Sequence, residues 1–121
     1  MDIPRAARWC VWARVRYTRP VDESFWFVPQ TGDESASKPI CLGNCGKNEA
    51  KWHWTARGGG STAVPPGSPI VLKLPKGPFT FRIYGREGGA VAQNNPRLDC
   101  LCICDDPDYL PTDADARAAL K

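Results

Sequence analysis

The residues best equipped for chemistry are the six cysteines. Two groups stand out: Cys41-Leu-Gly-Asn-Cys45 on a glycine-bearing turn, and Cys100-Leu-Cys-Ile-Cys104 in an apolar run. Cys41, Cys45, Cys100 and Cys102 have the donor type of a four-cysteine zinc site, so zinc is the one cofactor the sequence raises. Geometry argues against it. Alternate residues of an extended strand lie about 6.6 Å apart, whereas thiolates around one tetrahedral zinc sit on the order of 4 Å apart. Neighbouring cysteines of a regular strand converge only where the backbone bends or bulges. Core thiols, metal ligands and disulfides are all open readings, and the apolar surroundings of Cys100–Cys104 favour the first.

Aromatic residues raise a second chemistry. Lys51-Trp-His-Trp-Thr-Ala-Arg57 alternates, with Trp52, Trp54 and Ala56 pointing one way and Lys51, His53, Thr55 and Arg57 the other. Trp52 and Trp54 would offer a stacking platform for sugar rings or unpaired bases, with Lys51, Arg57 and Arg82 as phosphate partners. Large aromatics in small β-domains more often belong to the core. His53 is the only histidine, which excludes multi-histidine metal sites. It also makes His53 the sole candidate base for Ser-His or Cys-His catalysis. The expectation is an exposed strand histidine.

Acidic residues gather at Asp99, Asp105, Asp106 and Asp108. Two close carboxylates sharing a proton would make an aspartic dyad, and Asp106-Pro107 is an acid-labile bond, so an Asp-dependent self-processing peptidase is one alternative. Asp-Asp-Pro-Asp is also good turn chemistry at a strand end, and such a turn can bind a hard cation weakly. Gly43–Asn48 lacks the spacer and hydroxyl residue of a phosphate loop. Gly58-Gly59-Gly60 has no dinucleotide fingerprint around it.

The elements that must position these groups are mostly strands. Trp9, Val11, Ala13, Val15 and Tyr17 alternate with Cys10, Trp12, Arg14, Arg16 and Thr18. The first set reads as a core face, and the second begins apolar and ends basic, as if its early part were covered. Ser24–Val28 is apolar on both sides and is expected to stop at Pro29. Ile40–Leu42 and Ile70–Leu74 are further strands. Phe79–Tyr84 places Phe79, Phe81 and Ile83 inward, and Gly85–Gly89 would turn it into Ala90–Gln93. In Leu98–Cys104, strict alternation puts Leu98, Cys100, Cys102 and Cys104 on one face and Leu101 and Ile103 on the other. Both faces are apolar, the mark of a strand covered on two sides. Residues 111–121 form the one helix, with Thr112 as N-cap and Asp115 three residues on.

Composition agrees with this texture. In 121 residues, Gly 11 and Pro 12 punctuate short apolar runs, which suits an all-β chain with many turns. Residues 1–121 are read as a single domain, an antiparallel β-sandwich (immunoglobulin-like or jelly-roll-like) of about seven or eight strands with a short C-terminal helix. A net charge of +3 is too small to demand nucleic acid, but its distribution is uneven. Residues 1–20 carry five Arg against one Asp, residues 38–97 nine Lys/Arg against two Glu, and residues 21–37 and 98–121 are net acidic. That pattern suits self-association or an oriented partner. No apolar run reaches the ~20 residues of a membrane span, and the charged start of the chain is not a secretory leader. A cytoplasmic, reducing location is therefore expected. The function expected is that of a non-enzymatic binding or assembly module acting through a surface, most economically as a homo-oligomer. Nucleic-acid or carbohydrate binding through Trp52 and Trp54 is the alternative.

Overall fold

The computed structural model describes residues 1–16, 24–30, 38–43, 51–57, 68–85 and 97–119. They form nine strands: β1 (Asp2–Ile3), β2 (Ala7–Arg16), β3 (Ser24–Gln30), β4 (Ile40–Gly43), β5 (His53–Thr55), β6 (Ile70–Leu74), β7 (Gly77–Pro78), β8 (Thr80–Gly85) and β9 (Arg97–Cys104). One helix follows, α1 (Asp113–Ala119). The chain is mostly β, in several antiparallel sheets with a short C-terminal helix. Among the expected elements, Ala90–Gln93 lies outside the described residues, as do Tyr17, Thr18 and Cys45.

β2 is the central strand of the largest sheet. One of its edges pairs with β9 from Cys10 to Arg16. The other is shared end to end by β6, on Ala7–Val11, and β5, on Ala13–Val15. A second sheet has the order β4-β3-β8. Arg57 links the two sheets, bridging Leu42 on one side and Ser68 on the other, with its amide donating to Ser68 at 2.8 Å. β1 pairs with β7, where Gly77 adopts φ 120°, a left-handed conformation that favours glycine.

The alternation expected of β2 is observed. Trp9, Val11, Ala13 and Val15 are buried with Phe25, Phe27, Leu42, Ile70 and Leu74 in one core cluster. Phe27 is fully buried and stacks on Phe81, ring centroids 5.4 Å apart. Truncating such a ring to alanine typically costs about 3–5 kcal/mol. Trp9 satisfies its polar end by donating from Nε1 to the Arg5 carbonyl at 3.2 Å. On the opposite face of β2, Cys10 and Trp12 are buried while Arg14 and Arg16 are partly exposed, as the apolar-to-basic gradient requires.

Four expectations need correction. β3 does not stop at Pro29 but runs to Gln30, because Pro29 pairs only with Phe81 of β8, beyond the Ser24–Phe27 stretch held by β4. With no strand on its other edge among the described residues, the missing N–H breaks no ladder bond there. Leu98 does not share the cysteine face. Register passes from Arg14↔Cys100 to Val15↔Leu98, so Asp99 is an extra, bulged residue, and Leu98 packs on the core with Leu101 and Ile103. β9 is not buried on both faces: Leu98 and Cys100–Cys104 are each partly exposed. As an edge strand it has one neighbour, β2, among the described residues. His53 is not an exposed strand residue either. It is partly buried and opposite Val15, on the inner side of the sheet.

Candidate functional site

Alternation along β2 assembles one surface from distant parts of the chain. Facing partners in an antiparallel pair point to the same side. Cys10 lies opposite Cys104 and Val71, Trp12 opposite Cys102, and Arg14 opposite Cys100 and Trp54. The outer face of the large sheet is therefore a field of four thiols beside Trp12, with Arg14 at its far end. The bulge at Asp99 precedes Cys100, so Cys100, Cys102 and Cys104 keep the spacing of a regular strand.

Arg14 ties this face to the C-terminal segment. It donates to Asp99 at 2.7 Å and to Asp113, the first residue of α1, at 3.1 Å. Its guanidinium also lies 5.2 Å from the centre of the Trp52 ring, a cation–π contact. Both carboxylates raise its already high pKa, Asp99 most. The helix start carries half of the expected capping box, because the Thr112 hydroxyl donates to the Asp115 carboxylate at 3.1 Å instead of accepting the Asp115 amide. The Thr112 amide donates to Asp115 at 2.6 Å, and the Asp115 amide donates to the Thr112 carbonyl at 3.0 Å. Tyr109 donates its hydroxyl to the same carboxylate at 2.7 Å. These bonds hold the Asp115 carboxyl below its ordinary value, the Thr112 amide contributing most, and push the Tyr109 phenol up to about 12.

Cys10, Cys100 and Cys102 are held protonated. Burial, then the neighbouring Cys104 and Asp106, pushes the Cys10 thiol up. Burial and Asp99 do the same for Cys100 against the opposing pull of Arg14. Cys102 reaches about 11, chiefly through burial and then through Cys104 and Asp115. Thiols in that state are poor nucleophiles and poor metal ligands at neutral pH.

The acidic cluster is divided among separate tasks. Asp99 binds Arg14, and Asp105 pairs with Arg5. Asp106 accepts the Asp108 amide at 2.9 Å, the turn chemistry read from Asp-Asp-Pro-Asp.

The structure separates most of the candidate site residues. Cys41 lies opposite Trp26 on the outer face of the smaller sheet, whereas Cys100 and Cys102 lie on the outer face of the larger one, across the core. Among the described residues, no three His, Cys, Asp or Glu side chains are grouped to hold a metal ion. Arg82 is on the smaller sheet beside Tyr84, remote from the strand of Trp54, and Arg57 is in the inter-sheet bridge. Trp52 and Trp54 stand on the Arg14 side of β5, partly exposed and outside the core cluster, and Arg14 occupies the Trp52 ring. Lys51 is exposed, and its carbonyl lies 3.0 Å from His53 Nδ1. His53 faces inward, across the sheet from Cys10, Cys100, Cys102 and Cys104, so it forms no catalytic pair with them.

Two features were missed by reading residues in order. Arg14 is the hub of the site, yet its one local signal is a charge on a largely apolar strand. An open cleft of about 500 Å³ lies at the end of the β2–β6 ladder, lined by Ala6, Ala7, Arg8, Lys73, Leu74 and Pro75. It exists only because two segments some 65 residues apart pair there. No helix among the described residues is long and apolar enough to cross a membrane. Comparison of the chain with protein-family models, curated proteins and solved structures gives no match.

Proposed function

We propose that this protein is a small non-enzymatic binding and assembly module, a β-sandwich that works through a surface and associates with a second copy of itself along β9. Support for the sandwich comes from the core, which draws Trp9, Val11, Ala13 and Val15 from one sheet and Phe25, Phe27 and Leu42 from the other. One observation carries the assembly reading: β9 is an eight-residue strand with β2 as its only strand partner among the described residues, and its Leu98 and Cys100–Cys104 are all half-buried. An edge strand normally carries charge, proline or a bulge to prevent pairing. Here Arg97 and the bulged Asp99 guard one end, and the five residues Cys100–Cys104 are uncharged.

Sedimentation velocity across a concentration series tests the proposal. A concentration-dependent dimer is expected for the reduced protein, and Cys100→Lys, which places a charge on that edge, is expected to shift it to monomer with an unchanged far-UV spectrum. A strict monomer at high concentration would remove the assembly reading.

A further inference from the structure

Cys10 and Cys104 are direct partners across the β2–β9 ladder. Facing residues of an antiparallel pair have Cα atoms about 4.5–5.5 Å apart, inside the roughly 4.4–6.8 Å window a disulfide requires. Both are free thiols on the same face of the sheet. They differ in access. Cys10 is buried, whereas Cys104 ends its strand, is partly exposed, and donates its S–H to the Asp106 carbonyl at 3.6 Å. Cys102 neighbours Cys104 on the same face, but the two are alternate residues of one strand. Their Cα atoms lie about 6.6 Å apart with parallel Cβ vectors, so bridging them would bend β9.

We propose that Cys10 and Cys104 form a modification site, a cross-strand dithiol that accepts a disulfide from a low-molecular-weight disulfide of the glutathione class. Cys104 is the entry point. Its thiolate attacks one sulfur of the small disulfide, forming a mixed disulfide and releasing one small thiolate. The Cys10 thiolate then attacks Cys104 Sγ, forming the Cys10–Cys104 bond and releasing the second. Two protein thiols are oxidised, one small disulfide is reduced to two thiols, and the two protons lost by the protein go to the released thiolates. Burial keeps Cys10 protonated near neutrality, so the second step accelerates as pH rises. The bond would staple the central strand to its edge neighbour.

The test incubates the full reduced chain with oxidised glutathione at mildly alkaline pH, followed by digestion without reduction and mass mapping. The expected product is a peptide pair linked through Cys10 and Cys104, lighter by two hydrogens and carrying no glutathione. Cys10→Ser should trap the adduct on Cys104 for at least about tenfold longer than wild type, because the intramolecular attack is lost. Cys104→Ser should leave Cys10 unmodified, and Cys102→Ser should give the wild-type link. A Cys102–Cys104 link would overturn the proposal. So would a glutathione adduct that persists on wild-type Cys104, or a wild-type chain left unmodified under conditions that modify the denatured chain. The wild-type map decides the matter even if Cys10→Ser does not fold.

Discussion

Arg14 Nε donates to Asp113 Oδ1 at 3.1 Å, joining the middle of the central strand to the first residue of a helix 99 positions later. With the 2.7 Å bond to Asp99 and the Trp52 ring nearby, this one side chain meets three separate segments. Arg14→Ala removes two charge-assisted bonds and leaves two carboxylates without their cation. A loss of roughly 1–3 kcal/mol is expected, read by urea unfolding. Arg14→Lys should recover only part of it, because an ammonium cannot meet both carboxylates with the guanidinium fork.

The Thr112–Asp115 turn gives an independent handle on the same helix. Thr112→Ala removes the hydroxyl's bond to Asp115 but keeps the amide's, so a loss of at most about 1 kcal/mol is expected. The Asp115 pKa is lowered in the folded chain, so its contribution is present above the ordinary aspartate value and disappears as pH falls through the folded one. An NMR titration of Asp115 in wild type and in Tyr109→Phe should show the carboxyl rising toward its ordinary value in the variant.

At the alkaline end the sign reverses. Cys102 titrates near 11 in the fold against an ordinary 9.0, and Cys10 and Cys100 are shifted the same way. Their contribution is complete below pH 9, where both folded and unfolded thiols are protonated. As pH rises further it is lost, because the unfolded chain ionises first, and the part due to Cys102 is lost toward about 11. Urea midpoints measured in reductant should therefore fall between those pH values. Cys102→Ala should flatten that decline, and an unaltered slope would show that the thiol face does not govern it.

Trp12 Nε1 is buried without a hydrogen-bond partner among the described residues. Trp12→Phe discards that unsatisfied donor while keeping most of the apolar bulk, so a change within about 1 kcal/mol is expected. Trp12→Ala should instead cost about 3–5 kcal/mol. Thermal unfolding of the two variants separates packing from hydrogen bonding at this position.

Local chemistry is what the sequence by itself determined. Alternation placed Trp9, Val11, Ala13 and Val15 on one side of β2, and Thr112 with Asp115 marked the start of the helix. Asp106 and Asp108 marked the turn after β9. Each of these depends on residues within a few positions of one another, where periodicity and capping act. Tertiary structure alone decided which strand is central and which lies at an edge, since β2 and β9 pair across roughly 90 residues. It also inserted the bulge at Asp99, turning Leu98 from the cysteine face to the core. Arg14 met Asp113, and Cys10 met Cys104, for the same reason. Alternation sets the phase within a strand, but neighbours and register come from packing between strands, and one extra residue inverts the phase beyond it.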